Sequence, residues 1–407
     1  MLLRPPQLNA NSGNGLKPVC RTMEPMPIVP FSLPFSQAAA DDLRERLART
    51  RWPDEIPGTA WEYGISLEFI QDICHYWKDE FDWKSQIDQL SRLRHFRYEN
   101  GNWGIHFIHE RGHGPNPLPL VLTHGWPGSF LEMLRILPLL TDPASHGADP
   151  ADAFDVVIPS LPGYGFSDRP SVRGVNTFAI ADCWAQLMSE LGYSRFAAQG
   201  GDFGAAVTTL LGFRHPDRLV GIHLNYIPGS YRPWLRPGEA LDPEEQASLA
   251  SATEWYEASG GYAHIQRTHP QTAALGLNDS PAGLAAWILE KFHEWSDCNG
   301  NLFTRFTRDE LLTNVTLYWM TQTIASSFRL YMEGRLAPLH FKEGDFVRVP
   351  TGVARFPLED PFPARRWVER GYNVQRWSEM SSGAHFAAAE EPELLAKDIR
   401  EFFRSRR

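Results

Sequence analysis

Apolar residues recur along this chain at several different periods, and each period predicts a different kind of element. In "FSQAAADDLRERLARTRWP" (35–53) the spacing is helical. Ser36 suits the N-cap, and Pro53 is expected to end the helix. "SLEFIQDICHYWKDEFDW" (66–83) reads as a second amphipathic helix. In "HFRYENGNWGIHFIHERG" (95–112) two alternating runs flank Asn-Gly, which predicts a hairpin. Trp52, Trp61, Trp77, Trp83 and Trp103 lie in or beside this stretch. A loop-rich arm of this kind is expected to pack along a larger domain rather than fold alone.

From about Leu118 short apolar runs alternate with helical patterns. The runs are "PLPLVLTHG", "FDVVIPSLPGYGFS", "RFAAQGG" and "RLVGIHLNY". Between them lie "NTFAIADCWAQLMSELG", with Gly192 at its C-terminal end, and "AAVTTLLGFRH". This rhythm predicts a parallel sheet covered on both faces. It stops after Tyr226. Residues 227–345 are Pro-rich and then helical, in "DPEEQASLASATEWYEASGGYAHIQ", "SPAGLAAWILEKFHEW" and "TRDELLTNVTLYWMTQTIASSFRLYM". "DFVRVPTGVARF" restores a strand, "RRWVERGYNVQRWSEM" adds a helix and a strand, and "EEPELLAKDIREFFRS" closes as a helix. The pattern is an α/β sheet interrupted by a helical lid.

Composition narrows the class. With 407 residues, 43% hydrophobic and 22% charged, the chain reads as a globular protein. Its 14 Trp and 24 Phe can supply a large core and aromatic pocket walls. A net charge of -10 argues against a nucleic-acid partner. Cys20, Cys74, Cys183 and Cys298 form no pairing or metal-ligand spacing, so buried or incidental thiols in a reducing compartment are expected. No run is long enough to span a bilayer. The first 30 residues read as a disordered tail, and Met23 or Met26 could equally be the start.

Three local features carry chemistry. "QGGDFG" places Asp202 between Gly200, Gly201 and Gly204, after a strand and before a helix. That is the frame of a nucleophile elbow with an acid at its apex. The alternative is a helix N-cap. "THGWPGSF" follows an earlier strand and resembles an oxyanion loop, with the N–H groups of Trp126 and Phe203 as donors and His124 as a turn-forming residue. "SSGAHFAAAEEPE" puts His385 before the last helix. An acid is expected after an earlier strand; Glu359 fits, with Asp360 as its adjacent competitor.

An aspartate is ionised at neutral pH and attacks without a base. A serine would open an epoxide to an ether, which activated water cannot cleave; an aspartate forms an ester, which it can. The elbow therefore points to substitution at saturated carbon, either epoxide opening or carbon–halogen hydrolysis. A non-catalytic ligand binder on the same fold is the third reading.

At this point "HGWPGSF", "QGGDFG", "GGYAHIQ", "LNDSPAGLAAWILEKF", "LLTNVTLYWMT", "FPLE" and "GAHFAAAEEPELLAKDIR" resemble the microsomal-type epoxide hydrolases from about residue 30 to the end. The resemblance implies an α/β-hydrolase fold with a mostly parallel sheet, a helical lid and a Trp-rich N-terminal meander. It implies that two lid tyrosines hold the epoxide oxygen: Tyr262 from "GYAHIQ" and Tyr331 from "SSFRLYMEG". A phenol stays protonated at neutral pH and can donate to a developing alkoxide. Asp202, His385 and Glu359 take the nucleophile, base and acid roles. Tyr262, Tyr331, Trp126 and Phe203 line the substrate.

Two departures stand out. Phe203 follows the nucleophile where Trp is more usual, and the membrane anchor of microsomal members is missing. The expected protein is a soluble, cytoplasmic hydrolase of apolar epoxides and water, without metal or organic cofactor and with a homodimer left open. Its expected parts are a tail (1–30), a meander (31–112), a core in two pieces (113–226 and 346–407) and a lid (227–345).

Overall fold

The computed structural model describes residues 28–101 and 103–407. The expectations for the tail's first 27 residues, Cys20 and the start at Met23 or Met26 lie outside the described residues. In chain order the strands are β1 (Ile28–Pro30), β2 (His95–Glu99), β3 (Gly104–Glu110), β4 (Leu118–Thr123), β5 (Phe154–Pro159), β6 (Phe196–Gly200), β7 (Leu219–Leu224), β8 (Val347–Arg355) and β9 (Tyr372–Glu379). The helices are α1 (Gln37–Ala48), α2 (Leu67–Asp79), α3 (Trp83–Leu90), α4 (Leu137–Thr141), α5 (Thr177–Glu190), α6 (Asp202–Arg214), α7 (Pro243–Ser259), α8 (Gly261–Thr268), α9 (Pro270–Leu277), α10 (Pro281–Trp295), α11 (Arg308–Thr321), α12 (Ile324–Leu336), α13 (Arg365–Glu369), α14 (Ala387–Glu390) and α15 (Pro392–Phe403).

The strands form one sheet in the order β1-β2-β3-β5-β4-β6-β7-β8-β9. Pairings from β5 through β9 are parallel, and β1, β2 and β3 join antiparallel at one edge. The parallel part is the sheet that the alternating rhythm predicts, and the whole is the α/β-hydrolase fold that the resemblance implies. β5 and β6 are buried along their whole length, which is why, Asp155 and Gln199 apart, their residues are apolar or small. The N-terminal arm does more than pack against the core: its strands extend the same sheet, and β3 pairs with β5.

Several boundaries differ from the sequence expectation. α1 begins after Ser36, whose side chain accepts the Ala39 N–H, but it closes at Ala48, well before Pro53. The chain then turns so that Trp52 packs against the core. The short helix α3, capped by Asp82, was not foreseen; eight residues are too few for a clear period. Two apparently continuous lid helices are each broken. Gly260 separates α7 from α8, and Gln322, with φ 52°, separates α11 from α12. Cys74, Cys183 and Cys298 are free and buried. No helix among the described residues is long and apolar enough to cross a membrane.

The lid follows β7 and closes over the carboxyl ends of the parallel strands. Its seat is polar and specific. Asn314 of α11 donates to the Pro127 carbonyl at 2.9 Å and accepts from the Ser129 hydroxyl at 2.8 Å. The Tyr318 hydroxyl donates to the Gly128 carbonyl at 2.8 Å. Ser326 of α12 donates to the Gly163 carbonyl at 2.6 Å. The N-terminal arm ties the lid from outside through Trp77 Nε1 to Thr316 Oγ1 at 2.9 Å.

Candidate active site

Asp202 opens α6 with φ 46°, in the left-handed region. A residue with a Cβ is held there only by its surroundings. Gly201, in extended conformation, occupies the N-cap position, so Asp202 is not the N-cap that the alternative reading proposed. The small residues around it are required by close approach. A Cβ on Gly204 would land on the Thr123 carbonyl oxygen, and one on Gly125 would land on the Asp202 carboxylate.

The loop after β4 closes over that carboxylate. Trp126 N–H donates to Asp202 Oδ1 at 2.9 Å, and the adjacent Phe203 N–H also favours the charged carboxylate. His124 is fully buried. Its Nε2 accepts the Leu161 N–H at 3.1 Å, so Nδ1 carries the proton to the Gly125 carbonyl at 3.0 Å. Burial lowers its pKa to about 4, and it stays neutral as a turn-forming residue.

His385 lies in the loop after β9, with its backbone N–H on the Trp295 carbonyl at 3.1 Å. Its Nδ1 faces both Glu359 oxygens, at 2.9 and 3.2 Å, and its Nε2 lies 3.8 Å from Asp202 Oδ2. The partner of Nδ1 is thus Glu359 and not Asp360.

Tyr262 of α8 and Tyr331 of α12 hang above this floor. Their rings meet edge-on, with centroids 6.0 Å apart. The Trp126 ring stacks on Tyr262 at 5.4 Å and meets Tyr331 edge-on at 5.7 Å. Phe203 packs edge-on against Tyr331 at 4.8 Å. A cavity of about 440 Å³ opens here, lined by Asp202, His385, Glu359, Tyr262, Tyr226 and Trp295 among others; Tyr331, Trp126 and Phe203, expected to line the substrate, stand behind Tyr262 and outside that lining. A larger cavity of about 650 Å³, between the N-terminal arm and the lid, reaches none of the candidate reacting side chains. No cluster of metal-ligating side chains occurs among the described residues.

The electrostatics separate the groups by role. Burial opposes charge on His385, but Glu359, by charge and hydrogen bond, and then Asp202 overcome it, raising its pKa to about 10. The ring is an imidazolium at neutral pH. Burial raises the Asp202 pKa, against the pull of His385 and the two N–H donors. Burial, and the nearby charge of Asp202, push both lid phenols well above their ordinary range, so both stay protonated.

Sequence reasoning missed the seat of the lid, Asn314 and Tyr318, and the buried Lys291 beside Tyr262. Asn314 and Tyr318 lie on a helix whose apolar pattern says nothing of the 127–129 loop they bond. Lys291 had a weak signal, a lysine flanked by Glu290 and Glu294 on an apolar helix.

Two family descriptions match the chain: the epoxide hydrolase N terminus over residues 28–133 and the alpha/beta hydrolase fold over residues 119–275. Epoxide hydrolase 1 of Oryctolagus cuniculus is 39% identical, over 96% of this chain and 91% of its own. The crystal structure of juvenile hormone epoxide hydrolase from the silkworm Bombyx mori superposes with a TM-score of 0.79 at 30% identity, covering 94% of each chain. The structure of Aspergillus niger epoxide hydrolase gives the same TM-score at 28% identity, covering 94% of this chain and 97% of that one.

Proposed function

The chain belongs to the epoxide hydrolases of the α/β-hydrolase fold, and from that premise we propose that it converts apolar epoxides to vicinal diols through an ester to Asp202. The observation that carries this reading is the asymmetry of one carboxylate. Oδ1 is held by the Trp126 N–H, whereas Oδ2 has His385 Nε2 only at 3.8 Å.

Oδ2 is therefore the attacking atom. It forms a bond to an epoxide carbon as the carbon–oxygen bond breaks, and the oxygen is held and protonated by the phenols of Tyr262 and Tyr331. Oδ1 becomes the ester carbonyl and already lies on the Trp126 N–H, a donor placed to stabilise an oxyanion. Esterification also removes the Asp202 charge that helps raise the His385 pKa. The imidazolium then gives up its proton more readily, and the phenolate left by ring opening can recover it through solvent. His385, still oriented by Glu359, is now a neutral base. It activates water against the ester carbonyl carbon, and the diol leaves with Oδ2. The aromatic walls around the phenols favour apolar substrates.

A single turnover in ¹⁸O-water tests this. The label is expected in the Asp202 carboxylate, read by peptide mass spectrometry, with none in the first-turnover diol. Label appearing directly in the diol would sink the ester mechanism. Halide release from haloalkanes without epoxide turnover would support the carbon–halogen reading instead.

A further inference from the structure

The two lid phenols stand in different electrostatic surroundings. The ring contacts of Tyr331 are all aromatic: Trp126, Phe203 and Tyr262. Tyr262 has, besides Trp126 and Trp295, a cation. Lys291 Nζ lies 4.9 Å from the Tyr262 ring centroid and 5.6 Å from that of Trp295. The Lys291 side chain is only 9% exposed. Its ammonium is held by Glu290 Oε2 at 2.7 Å and Glu294 Oε2 at 2.8 Å.

A lysine withdrawn from water needs compensation, and carboxylates with two aromatic faces supply it. The cluster does more than satisfy itself. Glu294 lines the reaction cavity, and its charge bears on Tyr262. Without a cation beside them, the two glutamates would oppose negative charge developing on the Tyr262 oxygen. Lys291, on the ring and between the two carboxylates, offsets that opposition.

Resting on the epoxide-opening reading above, we propose that Lys291 is a positioning residue that makes Tyr262, rather than Tyr331, the phenol whose proton passes to the epoxide oxygen. Asp202 Oδ2 bonds to carbon, the carbon–oxygen electron pair moves onto the ring oxygen, and that oxygen takes the Tyr262 proton to become the hydroxyl of the ester. The Tyr262 phenolate is steadied by Lys291 until it is reprotonated.

The test is a double-mutant cycle in single turnover on styrene oxide, with ester formation and ester hydrolysis timed separately. Lys291→Gln should slow ester formation about tenfold and leave hydrolysis unchanged. Lys291→Arg should restore most of the rate. In a Tyr262→Phe background, Lys291→Gln should have no further effect. Lys291→Met, which keeps the apolar stem, is read the same way if Lys291→Gln does not fold. An equal loss in both backgrounds, equal slowing of both steps, or an unchanged rate of ester formation would overturn the role of Lys291. Wild-type ester formation in Tyr262→Phe would instead overturn the phenol assignment on which it rests.

Discussion

On the sheet side of the reaction cavity the functional groups stand on turns at strand ends; on the lid side they stand on helices. Asp202, Trp126, Glu359 and His385 follow β6, β4, β8 and β9, and main-chain groups do much of the work of holding them. Tyr262 and Tyr331 are placed by ring packing against Trp126, Phe203 and each other. The sheet side is charged and hydrogen-bonded, and one of its residues sits at a strained φ. The lid side is neutral at its reacting atoms. In the proposed mechanism the difference divides the labour: the sheet side makes and hydrolyses an ester, and the lid side handles the leaving oxygen and the substrate's shape. Main-chain donors suit the first task because oxyanion geometry is the same for every substrate. Side-chain packing suits the second because it can vary without touching the ester chemistry.

The largest expected effect separates these halves. His385→Gln should leave ester formation within a fewfold of wild type and slow hydrolysis by about 10²–10⁴ or more, so that the alkylated protein accumulates in mass spectra. Loss of both steps together would break the division. The same variant has a pH signature. His385 binds its proton more tightly in the folded chain, at about 10 against an ordinary value of 6.5. Its contribution to stability is therefore complete below pH 6.5 and is lost as pH rises towards 10. Thermal unfolding should show a flatter decline over that range in His385→Gln than in wild type.

Next comes the lid. Replacing both Tyr262 and Tyr331 by Phe should cost about 10²–10⁴ in ester formation on an epoxide. A pre-formed ester, generated slowly, should still hydrolyse at nearly the wild-type rate. Full epoxide turnover would refute the oxygen-binding role.

A third variant probes the backbone itself. Gly204→Ala places a methyl on the Thr123 carbonyl, a main-chain atom that cannot swing aside. It should destabilise the protein by about 3 kcal/mol or more in denaturant unfolding. A helix surface that tolerated Ala there would contradict the close-packed elbow.

Much of the sheet side was legible in the sequence because its signals are local. Small residues around an acid, His-Gly-Trp-Pro after a strand, and a histidine before the last helix each carry their own context. Glu359 and Asp360 could not be separated that way. They are neighbours in a loop, and only its path decides which carboxylate meets Nδ1. The lid was less legible because its contacts join distant segments. Asn314 bonds the carbonyl of Pro127, and Lys291 meets a ring on another helix; neither partner is near in sequence. The helix breaks at Gly260 and Gln322 escaped for a related reason. The apolar pattern runs across both, and the turn that ends each helix follows from how the lid folds back on the core. Residues 28–30, which form strand β1, read as the end of a disordered tail, and β2 and β3 as a hairpin packing along the core, because the β1–β2 and β3–β5 pairings leave no mark on any one segment alone.

The smallest expected effect lies where the two sides meet. Phe203 turns its backbone N–H to the Asp202 carboxylate and packs its ring against Tyr331. The two contributions belong to different halves of the comparison, and Phe203→Trp should split them. The N–H is unchanged by the substitution, so ester hydrolysis should stay within about threefold of wild type. The indole is larger than the phenyl ring and must displace substrate or Tyr331, which meets Phe203 edge-on at 4.8 Å. Enantiomeric preference on a racemic aryl epoxide should therefore shift, with a change in KM rather than in the hydrolytic step. Chiral chromatography of the residual epoxide measures it. An unchanged preference with slowed hydrolysis would mean that the ring supports the oxyanion turn rather than the substrate wall, and the boundary between the two halves would then run through the lid instead of along the elbow.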